Sequence, residues 1–149
     1  MVLVETAVQE TVEVPELTEP VTRRIVRAAC RQLDDDRIRL IEVDFVDEDT
    51  MRDLNRRHRG LDAPTDVLSF ALSSEAVEDA FPSDTGPDLI GNVIVCPSWA
   101  EGGMNRLWLL GFLVAHGALH LLGWSHDEDT APMHRETWSV LSHVFPVEE

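Results

Sequence analysis

The sequence predicts an α+β (α/β) fold: a single domain, a small mixed sheet of about four strands covered by about five helices, with one central buried helix. Three observations predict it. Apolar and polar residues alternate with period two over Val2–Val8 and Arg37–Phe45, and the short apolar runs VLSFAL (67–72) and LIGNVIVC (89–96) read as two further strands. Helical periodicities interleave with these strands in the order βαβαββαα, which fits neither an all-α nor an all-β class. The run from Asn105 to Leu122 is apolar all round, as in a helix enclosed by its own domain.

In chain order, Val21, Ile25, Ala28 and Ala29 recur at helical spacing after the first strand. Asp47 is placed to cap a second helix in DEDTMRDLNRRHR, with Met51 and Leu54 on its inner face. Pro64 and Thr65 shape a turn into the third strand, where Asp66 is expected to hydrogen-bond the turn. Residues 73–88 mix Ser, Pro, Gly and acids and read as a surface loop. A short helical turn is expected after Pro97, broken at Gly102 and Gly103, before the long helix. The last helix is expected over Asp129–His143 with Met133, Trp138, Leu141 and Val144 inward. Trp99, Trp108 and Trp138 are expected in the core, and Trp124 outside it.

At 149 residues the chain suits one domain, 1–149, able to bury a core without disulfide or metal staples. Cys30 and Cys96 lie in no metal-ligand spacing and are expected reduced. No apolar run reaches the ~20 residues of a membrane span, and MVLVETAVQE lacks the basic start of a signal peptide, so the cytoplasm is the expected location.

The net charge is −16 and every basic side chain is an arginine. Such acidity argues against sequence-blind wrapping of nucleic acid, which rests on phosphate neutralisation. A local anion site remains open, because Arg52, Arg56, Arg57 and Arg59 fall close together.

The stretch HGALHLLGWSH (116–126) carries the chemistry. Residues four apart share a helix face, so His116 and His120 present both imidazoles to one point. Gly123 can end the helix and turn the chain back, which brings His126 within reach as a third ligand. Three protein ligands and one open position is the pattern of catalytic zinc; with no thiolate nearby, nickel and manganese are also acceptable. His134 and His143 lack a partner pattern and read as surface residues, while His58 stays ambiguous. Zinc proteases share this spacing, H-E-x-x-H-x-x-G-x-x-H, but their glutamate, the general base, is Gly117 here. Glycine cannot move a proton, so the peptidase inference weakens. Phosphodiester hydrolysis asks less of that position, since a metal can polarise phosphate and an arginine can stabilise its developing charge.

With LNRRHRGLDAPTDVLSF (54–70), IGNVIVC (90–96) and HGALHLLGWSH in order, and Met133 trailing, the chain resembles the YbeY family of bacterial single-strand endoribonucleases. The resemblance implies a zinc-dependent ribonuclease with one ion per chain on His116, His120 and His126, other divalent metals being possible. It places the family's catalytic arginine on Arg59. It implies maturation of the 16S ribosomal RNA 3′ end and ribosome quality control, with single-stranded ribosomal RNA and the small subunit and its proteins as partners, and no membrane. The chain departs from the family pattern at Asn92, where aspartate is usual, at Trp124-Ser125, where Tyr-Asp is common, and at His58, where an aromatic is usual. The other readings are a zinc metallopeptidase-like hydrolase and a non-catalytic ribosome-assembly module with a structural metal.

Overall fold

The computed structural model describes residues 2–14, 19–32, 39–71, 89–99, 106–121 and 131–145. Strands β1 (Val2–Val8), β2 (Arg39–Phe45), β3 (Val67–Ala71) and β4 (Leu89–Val95) form one sheet in the order β1-β2-β4-β3. The first two pairings are parallel and the last, β3 with β4, is antiparallel, which makes the sheet mixed as expected. Parallel neighbours need a crossover. Helix α1 (Glu19–Gln32) makes the one from β1 to β2, and α2 (Glu48–Arg59) follows β2.

Strand alternation decides which face each helix covers. Ile41, Val43, Phe45, Val93 and Val95 point to one face and join the main core with α1, α3 (Arg106–Leu121) and α4 (Ala131–Val144). Leu68 and Ile94 point to the other face, where they meet Met51 of α2 together with Val46 and Cys96. Met51 is fully buried and Leu54 packs beside it, the inner face read from the sequence. Each large aliphatic or aromatic side chain so buried contributes roughly 1.5–3 kcal/mol.

Helix α3 is the central element. Leu110, Gly111, Leu113, Val114, Ala115, Gly117, Ala118 and Leu119 are buried around its circumference. Leu107, Trp108, Leu109, Phe112, His116, His120 and Leu121 are half-buried, and Phe112, His116 and His120 follow one another at helical spacing along one stripe. Among the described residues no helix is long and apolar enough to cross a membrane.

Some expectations change. Four helices are present among the described residues; the stretch after Pro97 is a turn through Trp99, and residues 100–105, where the expected short helical turn continues, lie outside them. Residues 37–38, the 73–88 loop, Trp124 and the start of the last helix at 129–130 also lie outside, as does the Met133 side chain. On α4 the buried face is Thr137, Val140, Leu141 and Val144, while Trp138 is 39% exposed. Trp138 packs on Phe112 and Trp108 at centroid distances of 5.1 and 6.0 Å, so the α3–α4 seam covers only part of its ring. Trp99 is 46% exposed on the turn after β4 and is no core residue either. Cys30 and Cys96 are buried and free.

Candidate active site

The arginine-bearing helix is fixed at both ends. Asp47 caps α2 by accepting the Thr50 N–H at 2.9 Å, and that backbone bond is the main cause holding the Asp47 carboxyl below its ordinary range. The Thr11 hydroxyl donates to the other Asp47 oxygen at 2.8 Å, and the Asp47 N–H donates to Gln9 Oε1 at 2.7 Å, tying the helix start to the chain after β1. At the far end Gly60 adopts φ 72°, a left-handed conformation that only glycine takes without strain. Its N–H bonds to Arg56 O, the bond of an αL cap, and that of Leu61 bonds to Asn55 O. Buried Asn55 donates to Ala63 O at 2.8 Å and holds the loop that follows. Arg59 is therefore the last helical residue, at the end where the helix dipole favours a cation.

The four clustered arginines are not equivalent. Arg52 grips Asp62 through two nitrogens at 2.8 and 3.1 Å, and Arg56 pairs with Asp53 at 2.7 Å. Arg57 pairs with the other oxygen of Asp53. Arg59 makes no ion pair among the described residues and borders a cleft of about 530 Å³. The anion site suggested by the whole cluster thus contracts to one guanidinium. Asp53 lies three and four residues before Arg56 and Arg57, a pairing the helical repeat foretells. The Arg52–Asp62 contact needs the loop fold and has no such local signal.

His116 and His120 of α3 line the same cleft. Their rings meet edge to face with centroids 4.8 Å apart, and Phe112 stacks on His116 at 5.6 Å and 16°. The sequence reading that both imidazoles share one helix face holds. His126 and Gly123 lie outside the described residues, so the third ligand position is not described. Among the described residues no group of three His, Cys, Asp or Glu gathers to hold an ion. The pair itself fits one divalent ion chemically. Two neighbouring imidazoles on a half-buried wall offer borderline nitrogen donors, and no thiolate borders the described part of the cleft.

Gly117 packs directly on the sheet. A Cβ there would lie 2.6 Å from Val93 Cγ1, closer than side chains tolerate, and 3.0 Å from Ser69 Oγ, a tight contact. The Ser69 hydroxyl donates to Gly117 O at 2.8 Å. A side chain at the position where zinc proteases keep their glutamate would thus drive α3 off β3 and β4. The sequence showed the missing base but not this packing reason for it.

Asp66 performs the expected turn role: its Oδ1 accepts the Val67 N–H at 2.8 Å and the Thr65 hydroxyl at 3.4 Å, while its own carbonyl accepts from Cys96 N. Asp66, Thr65 and Ser69 also border the cleft. Asn92 does not: strand alternation puts it on the opposite face, where its amide donates to Asp44 Oδ2 at 2.9 Å. An aspartate at 92 would face Asp44 as a like charge. His58 is exposed and packs on Phe70 with ring centroids 4.3 Å apart and planes tilted by 38°. His143 is exposed as expected, and the His134 side chain lies outside the described residues.

Comparison with known proteins agrees along the chain. The family profile of Endoribonuclease YbeY matches residues 5–144. Endoribonuclease YbeY of Symbiobacterium thermophilum is 44% identical over 110 residues, covering 68% of this chain and 69% of its own. That of Macrococcus caseolyticus is 37% identical over 130 residues, 83% of each chain. A solution structure of a Thermotoga maritima protein superposes with a TM-score of 0.61 at 25% identity, covering 95% of this chain and 89% of that one. With the profile spanning nearly its whole length, the chain belongs to the YbeY family of endoribonucleases.

Proposed function

We propose that this chain is a metal-dependent endoribonuclease for single-stranded RNA. One observation carries the reading: on a protein of net charge −16, the one arginine of the cluster that borders the cleft shares it with the paired histidines. His116, His120 and His126 are the ligands of a single divalent ion, zinc by the chemistry of the donors. The chemistry such an ion supplies is Lewis-acid polarisation of a phosphate oxygen and acidification of water. Arg59 binds the scissile phosphate and stabilises the charge that builds on its oxygens. Substrate RNA is ribosomal, at the 3′ end of the 16S species, handled in the cytoplasm with the small subunit and its proteins as partners. The Gly117 packing speaks against the metallopeptidase reading, because no side chain base fits there.

The test is the Arg59→Glu variant, assayed for cleavage of a single-stranded RNA and for bound metal by elemental analysis. Cleavage is expected to vanish with metal content unchanged. Cleavage at the wild-type rate would remove Arg59 from the reaction. A wild-type protein that binds metal and cleaves nothing would leave the assembly-module reading standing.

A further inference from the structure

Resting on that ribonuclease reading, we propose that Asp66 is the proton acceptor of the cleavage step, the base that the metal motif lacks at Gly117. The argument is an elimination over the polar groups that border the cleft, made among the described residues. The Arg59 guanidinium offers only N–H donors and no acceptor. His116 and His120 are committed as ligands in the ribonuclease reading, and a ligand nitrogen has no lone pair to spare. The Ser69 hydroxyl is spent on Gly117 O and the Thr65 hydroxyl on Asp66 itself. Asp66 is the remaining group that can take a proton.

Its geometry suits the task. The two hydrogen bonds to Val67 N and Thr65 Oγ1 both fall on Oδ1, which fixes the carboxylate plane. Oδ2 carries no hydrogen bond among the described residues. The Asp66 carbonyl is tied in turn to Cys96 N at 2.9 Å, at the end of β4. A base held by one oxygen and presenting the other is oriented before substrate arrives. In the step itself, a water oxygen forms a bond to phosphorus while its proton passes to Asp66. The bond from phosphorus to the leaving ribose oxygen breaks, that oxygen takes a proton from solvent, and Asp66 returns its own to solvent. No oxidant or further reactant is required.

Asp66→Asn separates this role from the turn, because the amide oxygen still accepts from Val67 N but cannot take a proton. We expect its kcat on a single-stranded RNA to fall by roughly 100-fold or more, with KM and melting temperature close to wild type. Asp66→Ala is expected to lose the turn bond as well, and added formate to restore part of its cleavage. An Asp66→Asn variant that turns over at the wild-type rate overturns the proposal. So does one that melts early while formate leaves Asp66→Ala inert, which assigns the residue to the turn alone. Wild-type protein run alongside separates the two readings: if it cleaves nothing, the ribonuclease reading falls first; if it cleaves and Asp66→Asn cleaves equally, only the base assignment falls.

Discussion

Ser69 of β3 donates its hydroxyl to the Gly117 carbonyl of α3 at 2.8 Å, at a point on the helix between the two histidines of the cleft. This bond and the bare α-carbon of Gly117 set how closely α3 lies on the sheet, and so where both imidazoles stand relative to Arg59. Gly117→Glu, which recreates the protease motif, must push against Val93 and Ser69. It is expected to cost about 1–3 kcal/mol of stability by overpacking and to show no peptide hydrolysis. Urea unfolding and a peptidase assay check both halves. Ser69→Ala should cost less, about 1 kcal/mol for one hydrogen bond.

Much of this arrangement was legible in the sequence because it is local. The i, i+4 spacing of His116 and His120 needs only helix geometry, and the Asp47 cap only a turn signal, and both stand in the structure. What was hidden depends on contacts between distant segments. All-round apolarity shows that α3 is buried but not which side meets the sheet, so Gly117 read as a missing base rather than a packing requirement. The arginine cluster read as one anion site because Asp62 reaches Arg52 only once the loop after α2 folds back. Trp99 and Trp138 read as core because hydrophobicity records what a side chain prefers, not where a seam between helices ends.

The sorting of the arginines predicts a difference in salt dependence. Each phosphate contact to single-stranded nucleic acid contributes a slope of about 0.7 in log affinity against log salt. Arg59→Gln should reduce the slope for single-stranded RNA by about that amount. Arg56→Gln should leave it nearly unchanged, since Arg56 is already paired with Asp53. Fluorescence anisotropy across a salt series measures both, and equal reductions would contradict the special place of Arg59.

Gly60 sets the exit of the chain from Arg59. Its φ of 72° disfavours any Cβ, yet an added Cβ would meet nothing within 4 Å. The cost of Gly60→Ala is therefore backbone alone, roughly 1–2 kcal/mol. Because strain there is relieved by unwinding the last turn, RNA cleavage should fall more than thermal stability does. A kcat at the wild-type level in a variant that melts early would show that Arg59 does not depend on the cap.

The open face of the sheet carries a pH signature of its own. Glu5 and Glu42 stand directly opposite on β1 and β2, and Asp44 lies two residues further along the same strand. Burial, then the charge and hydrogen bonding of Asp44, then the charge of Glu5, raise the Glu42 carboxyl above its ordinary value of 4.5. A carboxyl raised on folding binds its proton more tightly in the native state, so it destabilises the fold when ionised and stops doing so once protonated. Stability should therefore rise as pH falls through the raised Glu42 value toward 4.5. Glu42→Gln should melt higher than wild type at pH 7, and the gain should shrink to nothing below the unfolded value of Glu42. Thermal melts of both proteins across that range test the sign. A gain that persists undiminished in acid would mean the glutamine stabilises by packing and not by removing charge.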